Sequence, residues 1–256
     1  MARNRKHNES KALRIFSAGL ALILWQIAAV ALNNRLLLVG PIQVAERLGA
    51  LLLEKGTWQA IFFTFSRIGL GFLLAFGAAL LLAILSAAFP WAEVLLRPYV
   101  LAIQSVPVAS FIVIALLWLS GKRLSTFISF LMVLPVLYSN SLQGLQNADG
   151  QLKEMARVFR IPIYRQIPGI YLPALAPSLK AGCRVALGMC FKSGVAAEVI
   201  AVTSHSIGGM LYDAKVYMEI ADLFAWTVII VFLSLCFEKV FLWLLDRVFA
   251  GIQGSL

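Results

Sequence analysis

The sequence predicts an all-α integral membrane bundle of six transmembrane helices, and three observations carry that reading. Of 256 residues, 61% are hydrophobic and only 13% charged. Mean hydropathy is +0.88, outside the range of a soluble domain of this length. The apolar runs reach the ~20 residues a helix needs to cross a bilayer. They also lack period-2 alternation, and with no water at that depth only helices or a closed barrel satisfy the backbone.

The spans fall at about 13–33, 60–88, 99–119, 124–145, 174–201 and 222–247. They form a single transmembrane domain, 13–249, between a basic tail at 1–12 and a short tail at 250–256, with a polar loop at 149–173. The first run, Ile15 to Leu32, continues to Asn33-Asn34-Arg35 without an A-x-A site. It is read as an uncleaved span, since a signal peptide has a shorter core and a cleavage site. Between the first two spans, Pro41 to Gly56 predicts an amphipathic helix on the outer membrane surface. Val44, Leu48 and Leu51 share one face there, and Glu46, Arg47 and Glu54 lie off it.

The second span carries Gly71, Ala75, Ala79, Ala83 and Ala87 at four-residue steps, and the fifth carries Ser178, Gly182, Ala186, Cys190 and Gly194. Residues four apart share a helix face, and small ones let helices approach closely where lipid supplies no hydrophobic drive. These two helices are expected inside a bundle or across a dimer seam. Cys183, Cys190 and Cys236 have no metal-ligand spacing and read as packing residues.

The net charge of +10 comes from 22 Lys+Arg against 12 Asp+Glu. No aromatic-basic surface interleaves these charges, so they argue for membrane topology rather than a nucleic-acid partner. With an even number of spans and a cytoplasmic N-terminus, Arg3, Arg5, Lys6, Lys11, Arg14, Arg97, Lys153, Arg157, Arg160, Arg165 and Arg247 face the cytoplasm. The outer side receives only Arg35, Arg47, Lys55, Lys122, Arg123 and Lys215. That asymmetry predicts both termini on the cytoplasmic side of a bacterial plasma membrane.

Glu154 to Pro173, EMARVFRIPIYRQIPGIYLP, is too polar and basic to span. Glu154, Lys153 and Arg157 are placed on the solvent side of a short helix and Met155, Val158 and Phe159 on its apolar side. Pro162 then excludes the α region for Ile161 and ends the helix. By periodicity alone this is equally an amphipathic loop on the inner leaflet or a docking protrusion.

The spacing Glu154, Ala156, Ile170, Leu172-Pro173 resembles the cytoplasmic EAA loop of binding-protein-dependent ABC importer permeases. Met155 replaces the family's second residue, and Arg160 stands where the family has Gly, a residue that permits left-handed backbone. The resemblance extends from about Pro41 to Arg247 and is similar to the nitrate/sulfonate/taurine branch. Gln104-Ser105-Val106-Pro107, Leu134-Pro135-Val136-Leu137, Gly194 to Ile200, Ser206-Ile207-Gly208 and Asp222-Leu223-Phe224-Ala225 carry it.

What the resemblance implies is a type I ABC importer permease, a non-enzymatic subunit that works as a homodimer in the lipid bilayer. An ABC ATPase dimer would dock at Glu154, Ala156, Arg157, Arg160, Ile170, Leu172 and Pro173 and bind the ATP. An extracytoplasmic substrate-binding protein would deliver a small anionic or zwitterionic solute, such as nitrate, a sulfonate, taurine or a vitamin precursor. The chain itself has no G-x-x-x-x-G-K-[ST] phosphate loop and calls for no cofactor of its own.

Ionisable residues inside a membrane mark function by default, and the fifth span holds Lys180, Arg184, Lys192 and Glu198. Lys180 and Arg184 lie near its cytoplasmic end, within snorkelling reach of headgroups. Lys192 lies deeper, and either meets an anionic substrate or forms a structural ion pair. Glu198 sits about 120° around the helix from Lys192, which disfavours their direct pairing. Gln104, Ser105 and Ser110 beside Pro107, and Asn140 with Ser139 and Ser141, either line a pathway or join helices by hydrogen bonds. Lys192, Gln104, Ser105 and Glu198 are the candidate pathway residues. His205, Asp213 and Glu219 match no metal motif.

Two rivals belong to other classes. An ion-coupled secondary transporter would use Lys192 and Glu198 and usually shows internal repeats, which the sequence lacks. A membrane enzyme would need a converging nucleophile, base or metal set, and with two histidines, one of them in the basic tail, the chain offers little toward one.

Overall fold

A computed structural model describes residues 2–32 and 38–253. The expected outer turn Asn33-Asn34-Arg35, residues 254–256 and the side chains of Arg3, Arg5, Lys6, Lys11 and Arg14 lie outside the described set. All regular structure among the described residues is helical. In order it comprises α1 (Ala2–Leu32), α2 (Pro41–Leu53), α3 (Lys55–Ala88), α4 (Pro90–Ser105), α5 (Val108–Ala115) and α6 (Gly121–Gln146). Then follow α7 (Gly150–Val158), α8 (Ile163–Gln166), a π-helical turn (Ile167–Tyr171), α9 (Leu172–Ile200), α10 (Ile207–Val216) and α11 (Ile220–Gln253).

Pro41 and Pro90 open α2 and α4 at first-turn positions, where a missing N–H leaves nothing unsatisfied. Among the described residues, α3, α6 and α11 are each long and apolar enough to cross a membrane, and the α4–α5 pair passes the same test jointly. The continuous span expected at 99–119 does not form. Pro107 supplies no N–H, and Val106 before it is held extended at φ −83° and ψ 132°. The helix therefore breaks, and α5 leaves α4 at 98°.

The core is built around α6, whose contacts with α3 and α9 are the most extensive in the chain. Both small-residue ladders meet α6, which settles the choice left open by the sequence in favour of packing within one chain. Ala75, Ala79 and Ala83 are fully buried, and only Ala87 at the end of that ladder is exposed. A Cβ on Gly71 would sit 2.5 Å from the Thr126 carbonyl oxygen, and one on Gly182 would sit 2.8 Å from Asn140 Cβ. A Cβ on Gly194 would meet both Ser129 Oγ, at 2.5 Å, and Ile68 of α3. Ser129 of α6 thus marks the point where three helices converge.

α11 is peripheral by comparison. Only 6% of its most apolar window is buried, against 56% for α6. Aromatic rings attach it: Phe237 lies 5.2 Å from Phe65, and Phe241 lies 4.8 Å from Phe72, both edge-to-face. Such pairs contribute roughly 0.5–1.5 kcal/mol each beyond burial. The amphipathic helix α2 forms as the spacing predicts, but its apolar face is covered by protein. Val44 and Leu51 pack with Ala225, Trp226 and Ile229 of α11.

The polar side of α2 is fixed to the same helix. Arg47 donates from Nε to Asp222 Oδ1 at 2.5 Å and from Nη2 to Oδ2 at 2.8 Å, a bidentate geometry specific to guanidinium and carboxylate. Hydrogen bonding to Asp222 raises the Arg47 pKa further above its ordinary value, so the pair stays charged.

Gly71→Ala should lower stability by about 1–3 kcal/mol through overpacking. Gly77→Ala on the same helix, with no atom within 4 Å of the new methyl, should be neutral. Thermal unfolding in detergent micelles checks the difference, and equal midpoints would contradict the close approach of α3 to α6.

Candidate functional site

The segment singled out by spacing folds into a compact unit at the start of α9. Asp149 caps α7 by accepting a hydrogen bond from Gln151 N at 2.8 Å. The helix ends before Pro162 is reached, because Arg160 takes φ 51°. Ile161 N then donates to Ala156 O at 2.8 Å and Arg160 N to Arg157 O at 3.2 Å, a Schellman-type closure. The residue replacing the family's Gly therefore adopts the conformation a Gly would, at roughly 1–2 kcal/mol for an L side chain. Pro162 starts α8 rather than ending α7.

Two motif positions meet in space. Ala156 is 1% exposed and Ile170 8%, and they pack together with Ala148 at the end of α6. Leu172 is half-buried, and Glu154, Arg157, Arg160 and Pro173 are exposed. Large apolar side chains share that surface: Val158, Phe159, Ile163 and Tyr164 are each more than 60% exposed. The π-helical turn carries the chain from α8 into α9 with no intervening loop.

At the other end of α9 the structure assembles a site that the sequence showed only in part. Glu198 is completely buried. Its Oε2 accepts from Thr64 Oγ1 at 2.8 Å and from Gly208 N at 3.3 Å, while Thr64 Oγ1 accepts from Ile207 N at 2.9 Å. Thr64 and Glu198 thereby satisfy the first amides of α10, where the helix dipole favours a carboxylate. The counter-charge is Arg67 of α3, whose Nη1 lies 3.8 Å from Glu198 Oε1. Glu198 thus finds its counter-charge on α3 rather than at Lys192. Arg67 and Thr64 were not among the residues singled out by the sequence, although an acid within a span calls for polar partners and Arg67 is a charge within the second span.

The remaining candidates separate. Lys192 lines a cavity of about 330 Å³ with Val108, Met132, Met189, Ser193 and Ala196. It has no ion-pair or hydrogen-bond partner among the described residues. Gln104 lies in a different cavity, between α4 and α6. Ser105 donates its hydroxyl to Leu101 O and Asn140 its side-chain amide to Val136 O, each within its own helix. Lys180 is ion-paired with Asp246, and Arg184 approaches Glu238 at 4.0 Å, so both tie α9 to α11. No group of His, Cys, Asp or Glu among the described residues could hold a metal ion.

The helical core, with Lys192 in one cavity and Arg97 in another, and the 149–173 segment beside it are consistent with a membrane transport protein, and comparison with known proteins gives the class. The chain belongs to the family of binding-protein-dependent transport system inner membrane components, matched over residues 68–253. It is 27% identical over 209 residues to the putative aliphatic sulfonates transport permease protein SsuC of Bacillus subtilis, covering 80% of this chain and 75% of that one. It is 27% identical over 230 residues to a probable ABC transporter permease protein of Haemophilus influenzae, covering 90% and 93%. Identity to the nitrate import permease protein NrtB of Synechocystis is 26% over 203 residues, covering 75% and 73%.

The protein is therefore an integral inner-membrane permease subunit of an ABC importer, as the EAA-loop resemblance implied. Membership sets aside the ion-coupled rival, whose two residues, Lys192 and Glu198, occupy separate environments.

Glu198→Ala should destabilise the fold by about 1–3 kcal/mol, because it leaves Thr64 and the Gly208 amide without their buried acceptor and the half-buried Arg67 without its counter-charge. Glu198→Gln, which keeps acceptors for Thr64 and Gly208, should lose less. Unfolding midpoints of the purified variants check the order, and an unperturbed Glu198→Ala would contradict the clamp.

Proposed function

We propose that this permease imports a small anionic or zwitterionic solute as a homodimer, driven by an ABC ATPase dimer docked on residues 149–173. The observation that carries the docking reading is a segment packed firmly on its inner side through Ala156 and Ile170, yet exposing Val158, Phe159, Ile163 and Tyr164 beside Arg157 and Arg160. Exposed aromatic and aliphatic groups on a polar protrusion suit burial by a protein partner. Glu154, Leu172 and Pro173 complete the unit, which lies on the cytoplasmic side with both termini.

An extracytoplasmic binding protein delivers the solute. ATP binding brings the ATPase subunits together, each docking unit follows as a lever, and the paired cores pass from inward-facing to outward-facing by rigid-body motion. Hydrolysis on the partner resets them. Lys192 meets the solute in this scheme, since its charge is unpaired in a cavity otherwise lined by Val108, Met132, Met189, Ser193 and Ala196. The printed names of two relatives, for aliphatic sulfonates and for nitrate, support an anionic group.

Ala156→Glu should abolish ATPase copurification while the spans still insert, because a carboxylate cannot enter the Ala148–Ile170 contact; retained ATPase would contradict the docking reading. Lys192→Met should weaken uptake of the solute by about tenfold or more in apparent affinity, the loss of a charge-assisted hydrogen bond. Uptake at unchanged KM would remove Lys192 from the pathway.

A further inference from the structure

Two cavities flank the 98° elbow between α4 and α5. On one side a groove of about 350 Å³ runs between α4 and α6, with Glu93, Arg97 and Gln104 facing Ser139, Gln143 and Gln146. On the other side the Lys192 cavity begins at Val108, the first residue of α5. The spacing of Glu93, Arg97 and Gln104 puts them on one face of α4, and that of Ser139, Gln143 and Gln146 puts them on one face of α6. Met132, which lines the Lys192 cavity, stands seven residues before Ser139 on that same face of α6. The two cavities are thus neighbours along one helix face, about 10 Å apart at 1.5 Å per residue.

Polar stripes are expensive against lipid and are tolerated where they face water or each other. The stripes here are too sparsely bonded to be structural glue. Gln146 donates to Glu93 Oε2 at 2.9 Å at the end nearest the docking unit. The side chains of Arg97, Gln104 and Gln143 have no hydrogen-bond or ion-pair partner among the described residues. Gln146 holds the Glu93 carboxylate at one end of the groove, and the Arg97 guanidinium, one turn along α4, is the groove's cation and has no ion-pair partner among the described residues.

We propose that this groove is a water-filled half of the translocation path, in series with the Lys192 cavity across the elbow, and that Arg97 is its charge-selecting residue for a solute with an anionic group. The direction of use rests on the reading that the docking unit is cytoplasmic, which makes the groove the exit. A solute released by Lys192 meets amide donors at Gln104 and Gln143 and then Arg97. Several weak sites in line, rather than one tight one, permit departure as well as entry.

The test is thiol labelling of the full-length chain in open membrane fragments, where both faces are accessible and orientation is immaterial. The background is Cys236→Ser, since Cys236 is exposed while Cys183 and Cys190 are buried. Gln104→Cys and Gln143→Cys should react with a methanethiosulfonate carrying a sulfonate about tenfold faster than Leu95→Cys, an exposed position of α4 outside the groove. Adding Arg97→Gln should slow the anionic reagent at Gln104→Cys about tenfold without slowing a trimethylammonium analogue, and Arg97→Lys should restore the difference. Rates at Gln104→Cys and Gln143→Cys as low as at Leu95→Cys would overturn the groove. Equal effects of Arg97→Gln on both reagents would overturn the selecting role. ATPase copurification reports on docking separately, so failure of one reading is not mistaken for failure of the other.

Discussion

Ser129 lies where α3, α6 and α9 close on one another, and the rest of the molecule follows from the lack of side-chain bulk around it. Lipid offers no hydrophobic drive for helices to associate, so the core relies on backbone approach at Gly71 and Gly194. That approach also fixes register. Gly194 meets Ile68; one turn further along each antiparallel helix, Glu198 meets Thr64. The buried carboxylate, its Arg67 partner and the first turn of α10 are thus positioned by a contact a helical turn away.

Toward the opposite end α6 and α9 carry the contact onward. Gly182 lies on Asn140, Gly144 lies against Leu175 and Ser178, and Ala148 at the foot of α6 joins Ala156 and Ile170. The π-helical turn runs directly into α9, and the turn between α7 and α8 is closed by the Arg160 and Ile161 amides on α7 carbonyls. The 149–173 segment is joined to the core through the Ala148, Ala156 and Ile170 contact and through α9, the connection that the proposed coupling role requires.

Much of this was legible in the chain because it depends on local pattern. The positions of α3, α6 and α11 follow from hydropathy, the ladders from four-residue spacing, and the polar 149–173 segment from its polarity joined to the Glu154–Pro173 spacing. What escaped depends on direction and on distant partners. Hydropathy over 99–119 cannot express a 98° turn at Pro107, and that turn is what separates Gln104 from Lys192. Arg160 departs from the expected Gly yet reaches φ 51°, since the Ile161 and Arg160 amides are held by the carbonyls of α7. The apolar face of α2 was assigned to the membrane surface because its actual cover, Trp226 and Ile229 of α11, lies far away in sequence.

The measurement that bears most directly on this account is a pair of spin-label distances in the assembled transporter during ATP turnover. One is taken within a chain, from Val158 of the docking unit to an exposed position on α6, and the other between the Val158 positions of two copies. The account predicts that the distance within the chain stays fixed while the distance between copies shortens on ATP binding. A docking unit that moves relative to its own α6 while the distance between copies is unchanged would contradict it.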